Sequence, residues 1–135
     1  MIKKILFGIL LVNILLAANV YATTPEVVFL ANSIDSAGAR PTLDYLREQG
    51  VNLIVVDASK FDNYKDAKLI FILGGHKAPE GIGNIVGNLL TDVEKKKIES
   101  EGDVFFKSDI WTKNQHVTII AGPTRKETKL LASDK

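Results

Sequence analysis

Leu69-Ile70-Phe71-Ile72-Leu73-Gly74-Gly75-His76-Lys77-Ala78-Pro79 is the stretch on which the reading of the fold turns. From Lys68 to Leu73 the apolar side chains follow one another without alternation. A strand with one wet face would alternate, so this run predicts a strand covered on both faces, as in a parallel sheet between helical layers. Two glycines end the run. Pro79 suits a first helical turn, and Ile82, Ile85, Val86, Leu89 and Leu90 recur at helical spacing beyond it.

Moving outward, Val27-Val28-Phe29-Leu30-Ala31-Asn32 and Asn52-Leu53-Ile54-Val55-Val56-Asp57 repeat the continuous apolar pattern and predict two more strands buried on both faces. Between them Pro41 to Gly50 carries Leu43 and Leu46 on one face, with the proline at a helix start and the glycine at a C-cap. Downstream, Thr91-Asp92-Val93-Glu94 has the spacing of a capping box, which predicts a helix to about Ser100 held down by Val93 and Ile98. Residues 104 to 111 read as a strand or extended edge segment, Thr112 to Gln115 as a turn, and His116 to Ala121 as another buried strand. Thr124-Arg125-Lys126-Glu127 is a second capping box, opening a final helix with Leu130 and Leu131 inward. The order β-α-β-β-α-α-β-β-α predicts an α/β domain of three layers, with a mostly parallel sheet of about five strands and 104–111 as its antiparallel or edge member.

The chain has 135 residues and no cysteine, which bounds it to one domain and excludes thiolate metal sites, disulfide frameworks and cysteine nucleophiles. Its first 22 residues contain 17 apolar side chains, Lys3 and Lys4, and no acid. A basic start, an apolar run from Ile5 to Ala18 and the small-residue pattern ending at Ala22 form a three-part export signal. Cleavage after Ala22 leaves residues 23–135 as a single extracytoplasmic α/β domain; uncleaved, the leader is the one route to a membrane. Without it, 17 basic and 16 acidic residues become 15 and 16, so no global charge favours nucleic acid or an anionic surface.

Ligands of open α/β sheets bind beyond the carboxyl ends of the strands, which points to Asn32–Ser36, Asp57–Ser59, Gly74–Ala78 and Gly122–Arg125. Gly74, Gly75, His76 and Lys77 lead into a helix start and read as an anion cradle. The spacing of a phosphate loop is missing, and Gly81, Gly83 and Gly87 are not a dinucleotide fingerprint, so no cofactor is expected. Asp35 and Asp57, with Ser33, Ser36, Ser59 and His76, supply groups for a general base or a hard cation, without diagnostic spacing for a metal. Trp111 and Gln115 bracket a polar turn. Exposed, the tryptophan would stack on a sugar or partner; folded inward, it would close a hairpin while the glutamine bonds the backbone across the turn. Arg125 stands at the predicted carboxyl edge, where it would bind a carboxylate or brace the loops.

Ile119-Ile-Ala-Gly-Pro-Thr-Arg125-Lys-Glu-Thr128 is similar to the closing motif of secreted cell-wall-binding repeats, and it also resembles archaeal S-layer-type surface domains. The second resemblance extends through Leu69 to Gly83, Leu90 to Glu94 and Ile110 to Gln115. It implies an exported, noncatalytic α/β surface module, with Gly74, Gly75, Trp111, Gln115, Gly122 and Arg125 at the recurrent positions. Departures are His76 where proline is common and Lys126 in place of an aromatic. Tandem copies are absent from this chain, so avidity for a polymer would require self-association. The expected function is an envelope-associated module that binds an envelope polymer or a surface protein. The rival is a small secreted or periplasmic enzyme acting on an anionic or carbohydrate substrate, with Asp35 or Asp57 as base.

Overall fold

A computed structural model describes residues 25–124 and 126–128. The leader at 1–22, Arg125, Leu130 and Leu131 lie outside the described residues. The elements are β1 (Glu26–Ala31), α1 (Ser33–Glu48), β2 (Asn52–Val56), a short 3-10 helix (Phe61–Tyr64), β3 (Leu69–Leu73), α2 (Ile82–Leu89), α3 (Asp92–Ser100), β4 (Asp103–Ser108) and β5 (His116–Ala121). They form one sheet in the order β2-β1-β3-β5-β4. β2, β1, β3 and β5 run parallel and β4 is antiparallel to β5 at the edge, as the sequence predicts.

Strand periodicity divides the core in two. Val28, Leu30, Ile70, Ile72, Val117 and Ile119 face Ile82, Val86 and Leu90 around α2, Ile98 of α3, and Phe61. On the other face Val27, Phe29, Leu69, Phe71 and Leu73 meet Ala39, Leu43 and Leu46 of α1. Every described residue of β1 after Glu26 and all of β3 are buried because these strands are central and covered on both sides.

The structure corrects several boundaries. β2 is an edge strand and its Leu53, Ile54 and Val55 are half-buried, so its apolar run does not mark a central position. α1 starts at Ser33 and runs through Pro41. Asn32 caps it, its Oδ1 accepting the Asp35 N–H at 2.9 Å, and burial of Ala39, Leu43 and Leu46 on either side of the proline offsets the main-chain bond that Pro41 forfeits. Gly50 ends the turn after α1 with φ 86°, a conformation that favours glycine. Pro79 does not open α2; the helix begins at Ile82, after Gly81 at φ 85°. The capping box of α3 is complete, with Thr91 Oγ1 accepting from Glu94 N–H and the Glu94 carboxylate accepting from Thr91 N–H. Ile98 anchors α3, but Val93 is 78% exposed and does not. β4 stops at Ser108, and residues 109–115 form the turn into β5. At the chain end, residues 126–128 are helical and Thr124 Oγ1 accepts the Glu127 N–H at 3.4 Å, half of the second capping box.

Candidate functional site

β1 connects to β2 on one side and, through β2, to β3 on the other, so the strand order reverses between the carboxyl ends of β1 and β3. Such a reversal leaves a crevice between the connections that depart in opposite directions. Asn32 and Gly74 are the first residues beyond those two strands. Asn32 is fully buried, and its side chain holds Asp35 twice, donating from Nδ2 to Asp35 Oδ2 at 2.6 Å while accepting from the Asp35 N–H. That reciprocal pair turns the Asp35 carboxylate toward Gly74. A Cβ added to Gly74 would lie 3.9 Å from Asp35 Oδ2, and Gly74 has φ 130°, so glycine both permits the turn and leaves the carboxylate uncovered.

The loop after β3 closes the other wall. Gly74 N–H donates to Ile120 O at 2.9 Å, and Ala78 N–H to Gly75 O at 3.0 Å, which makes His76 and Lys77 the tip of a tight turn. Gly83 allows α2 to approach this turn, since a Cβ there would come within 2.6 Å of Ala78 O and 2.8 Å of His76 O. Ile98, packed under Gly75, fixes the rotation of α3 and thereby brings the next residue, Glu99, to the loop. Glu99 Oε1 meets both the Lys77 ammonium and His76 Nε2, the latter at 3.2 Å. Lys77, then His76, hold the Glu99 carboxyl below its ordinary value by hydrogen bonding to its charged form. His76 Nδ1 is buried without a hydrogen-bond partner.

Together these groups line a cleft of about 360 Å³, with Asp35, Gly74, Gly75, His76 and Lys77 on one side and Gly122, Pro123 and Thr124 at the end of β5 on another. Gly122 is held by Thr128, whose hydroxyl accepts the Gly122 N–H at 2.8 Å. A Cβ on Gly122 would meet Thr128 N at 2.6 Å, so this glycine seats the chain end against the sheet.

A second cleft of about 420 Å³ lies between the ends of β1 and β2 and is lined by Ser33, Ser36, Asp57, Ser59 and Glu80. The first-turn Ser33 donates to Glu80 from both its N–H, at 2.8 Å, and its hydroxyl, at 2.6 Å. Asp57 accepts from Ser59 and Lys60 in its own turn, and the Ser59 hydroxyl foremost, with the Lys60 and Ser59 amides, keeps its carboxyl below the usual aspartate value. Among the described residues no group of three or more histidine and acidic side chains is placed to hold a metal ion.

Trp111 and Gln115 are not part of either cleft. Both precede β5 and therefore lie at the amino edge of the sheet, a strand length of roughly 16 Å from its carboxyl edge. Gln115 is fully buried, donating from Nε2 to Lys65 O at 2.6 Å and Ala67 O at 2.7 Å and accepting the Trp111 N–H at 3.0 Å. Trp111 packs edge-on against the buried ring of Phe61, with centroids 5.2 Å apart. The inward reading of the turn therefore holds.

The same geometry shows how the groups of the Gly74 to Lys77 loop, expected to cradle an anion, are engaged. Lys77 is committed to Glu99, Gly74 N–H to the sheet, and Asp35 adds a second carboxylate to the cleft. Glu99 is the neighbour of the cleft that the sequence reading passed over, and Asn32, placed by it in the Asn32–Ser36 segment, was not read as the residue that holds Asp35. Asn32 stands three residues before Asp35, the spacing of a cap and its N3 amide, and Glu99 follows the one apolar residue of α3 that is buried. No family model, curated protein or solved structure matches the chain.

Proposed function

We propose that this protein is an exported, noncatalytic surface module that holds an envelope component or a protein partner in the cleft at the carboxyl ends of β1, β3 and β5. The observation that carries the reading is the way the polar groups of the cleft are engaged. Glu99 is paired with Lys77 and His76, and Asp35 is held by Asn32. No described hydroxyl or imidazole is hydrogen-bonded to Asp35, whereas an activated nucleophile requires a base within such reach. A rigid, concave site of this size with a few oriented polar groups suits recognition. The export signal read from residues 1–22 supports an envelope location.

Cosedimentation of the protein with the envelope fraction of the cells that make it tests the proposal. Lys77→Trp, which places a bulky ring at the mouth of the cleft from an exposed position, is expected to reduce saturable binding about tenfold or more, while Lys113→Trp at the opposite edge leaves it unchanged. Protein that remains wholly in the supernatant overturns the envelope-binding form of the reading and directs attention to the enzyme alternative.

A further inference from the structure

β4 is an edge strand, and the main-chain bonds around it show which groups that edge presents. His116 N–H donates to Lys68 O at 2.8 Å and Gly74 N–H to Ile120 O at 2.9 Å, so His116, Thr118 and Ile120 turn their main-chain groups toward β3. Val117, Ile119 and Ala121 turn theirs toward β4, where the register sets them against Lys107, Phe105 and Asp103. The alternate residues Val104, Phe106 and Ser108 therefore point their amides and carbonyls outward, and among the described residues no strand pairs with them. Only the Val104 N–H has a local acceptor there, Asp103 Oδ1 at 2.8 Å. An edge of this kind is a template for a further strand.

The side chains select the strand that fits. Charged residues commonly guard an edge, but here Lys107 is drawn to Glu94 at 2.7 Å and Asp103 to Lys97, both toward α3. On the opposite face Phe106 is 59% exposed beside the half-buried Val104. Run antiparallel to itself about a two-fold axis at Phe105, the segment is its own complement: Asp103 lies opposite Lys107, Val104 opposite Phe106, and Phe105 opposite Phe105. The outward Phe106 N–H then meets the Val104 carbonyl of the second copy, and the new Asp103–Lys107 contacts join the existing ion pairs into rows of alternating sign. Moving the axis spoils the match, since at Phe106 it sets Asp103 against Asp109 and at Lys107 it sets that lysine against itself.

We propose that a second copy of this chain pairs with β4 in this register, joining two five-stranded sheets into one. The inference goes beyond the binding function proposed above and does not rest on it. A dimer built this way carries two clefts, the second site that a chain without tandem copies lacks.

Sedimentation equilibrium of the protein as its cells process it, at concentrations up to about 1 mM, is expected to show a mass rising toward twice that of one chain. Phe106→Lys, at an exposed position, is expected to weaken the association about tenfold or more. Phe106→Pro is expected to do the same, because it removes an outward N–H and leaves the β4–β5 bonds intact; should the proline unfold the strand, the lysine variant carries the test. The chain has no cysteine, so introduced thiols report the register. A mixture of Val104→Cys and Phe106→Cys copies is expected to form disulfide-linked dimers under mild oxidation faster than either variant alone. A monomer at every concentration, as when another segment of the same chain covers β4, overturns the proposal. So does a dimer indifferent to the Phe106 substitutions, or faster crosslinking of Phe106→Cys with itself than in the mixture.

Discussion

The two ends of the sheet satisfy their polar groups in opposite ways. At the amino edge the fully buried Gln115 makes three hydrogen bonds to main-chain groups before β3 and β5, and Trp111 closes over Phe61 beside it. At the carboxyl edge the buried His76 Nδ1 has no hydrogen-bond partner among the described residues, and Asp35 is held by Asn32 alone beside an open cleft. Most buried polar groups are matched, because an unmatched one costs free energy. Residues that the sequence reading grouped as one candidate site therefore separate by location. Trp111 and Gln115 hold the fold, and the loop from Gly74 to Lys77 shapes the cleft.

The sharpest way to break this contrast is Gln115→Leu. The substitution strips partners from Lys65 O, Ala67 O and the Trp111 N–H, and at roughly 1–3 kcal/mol per unsatisfied buried group it is expected to cost about 3–5 kcal/mol. Urea unfolding measures it; a loss below about 1 kcal/mol would mean that the amino edge tolerates unmatched groups as readily as the carboxyl edge.

Gly122→Ala probes the boundary, since Gly122 lies at the carboxyl edge but its environment is one of packing. Its new methyl group would press on the main chain at Thr128 and on Glu127, and a destabilisation of about 1–3 kcal/mol is expected. The same unfolding measurement checks it. Unchanged stability would show that the end segment can move away from the sheet.

The α3 cap adds a pH-dependent test. Burial opposes ionisation of Glu94, but the Lys107 ammonium and the Thr91 amide outweigh it, so the folded-state carboxyl lies below its ordinary value of 4.5. A lowered folded-state pKa contributes stability that is complete above the unfolded value and is lost as pH falls through the folded one. Glu94→Gln is expected to cost about 1 kcal/mol near neutrality, and the gap from wild type should close as pH falls below about 4.5. A gap that persists in urea titrations down to about pH 3 would detach the cap from this ion pair.

The smallest expected change in stability is at the cleft itself. Asp35→Asn retains an acceptor for Asn32 and gives up one charge in the first turn of α1, so unfolding free energy is expected to move by less than about 1 kcal/mol. A loss comparable to that of Gln115→Leu would make Asp35 a structural residue and erase the distinction between the two edges.

Much of the fold was legible in local sequence, and particular residues show why. The apolar runs at β1 and β3, the capping box at Thr91 and Glu94, and the antiparallel edge at β4 rest on short-range patterns that the structure keeps. Pro41 misled because its preference for a first turn is weaker than the combined effect of the Asn32 cap and the burial of Leu43 and Leu46. Val93 misled because one apolar residue does not establish which face of a short helix turns inward. The site was legible only in part. Asn32, Asp35 and the loop at Gly74 are legible from their places after strands, whereas the hold of Asn32 on Asp35 and the approach of Glu99 depend on the packing of α1 and α3.

By itself the sequence determined the layers of this protein, since the alternation of continuous apolar runs with amphipathic segments leaves few ways to bury them other than a parallel sheet between helices. Only the tertiary structure decided which of the candidate residues line the cleft. Strand direction places Trp111 and Gln115 at the far end of the sheet from Gly74 and Gly122. The rotation of α3, fixed by Ile98, decided that Lys77 would be neutralised by Glu99 while Asp35 remained open to the cleft. Such pairings join residues far apart in the chain, and no local pattern of residue types encodes them.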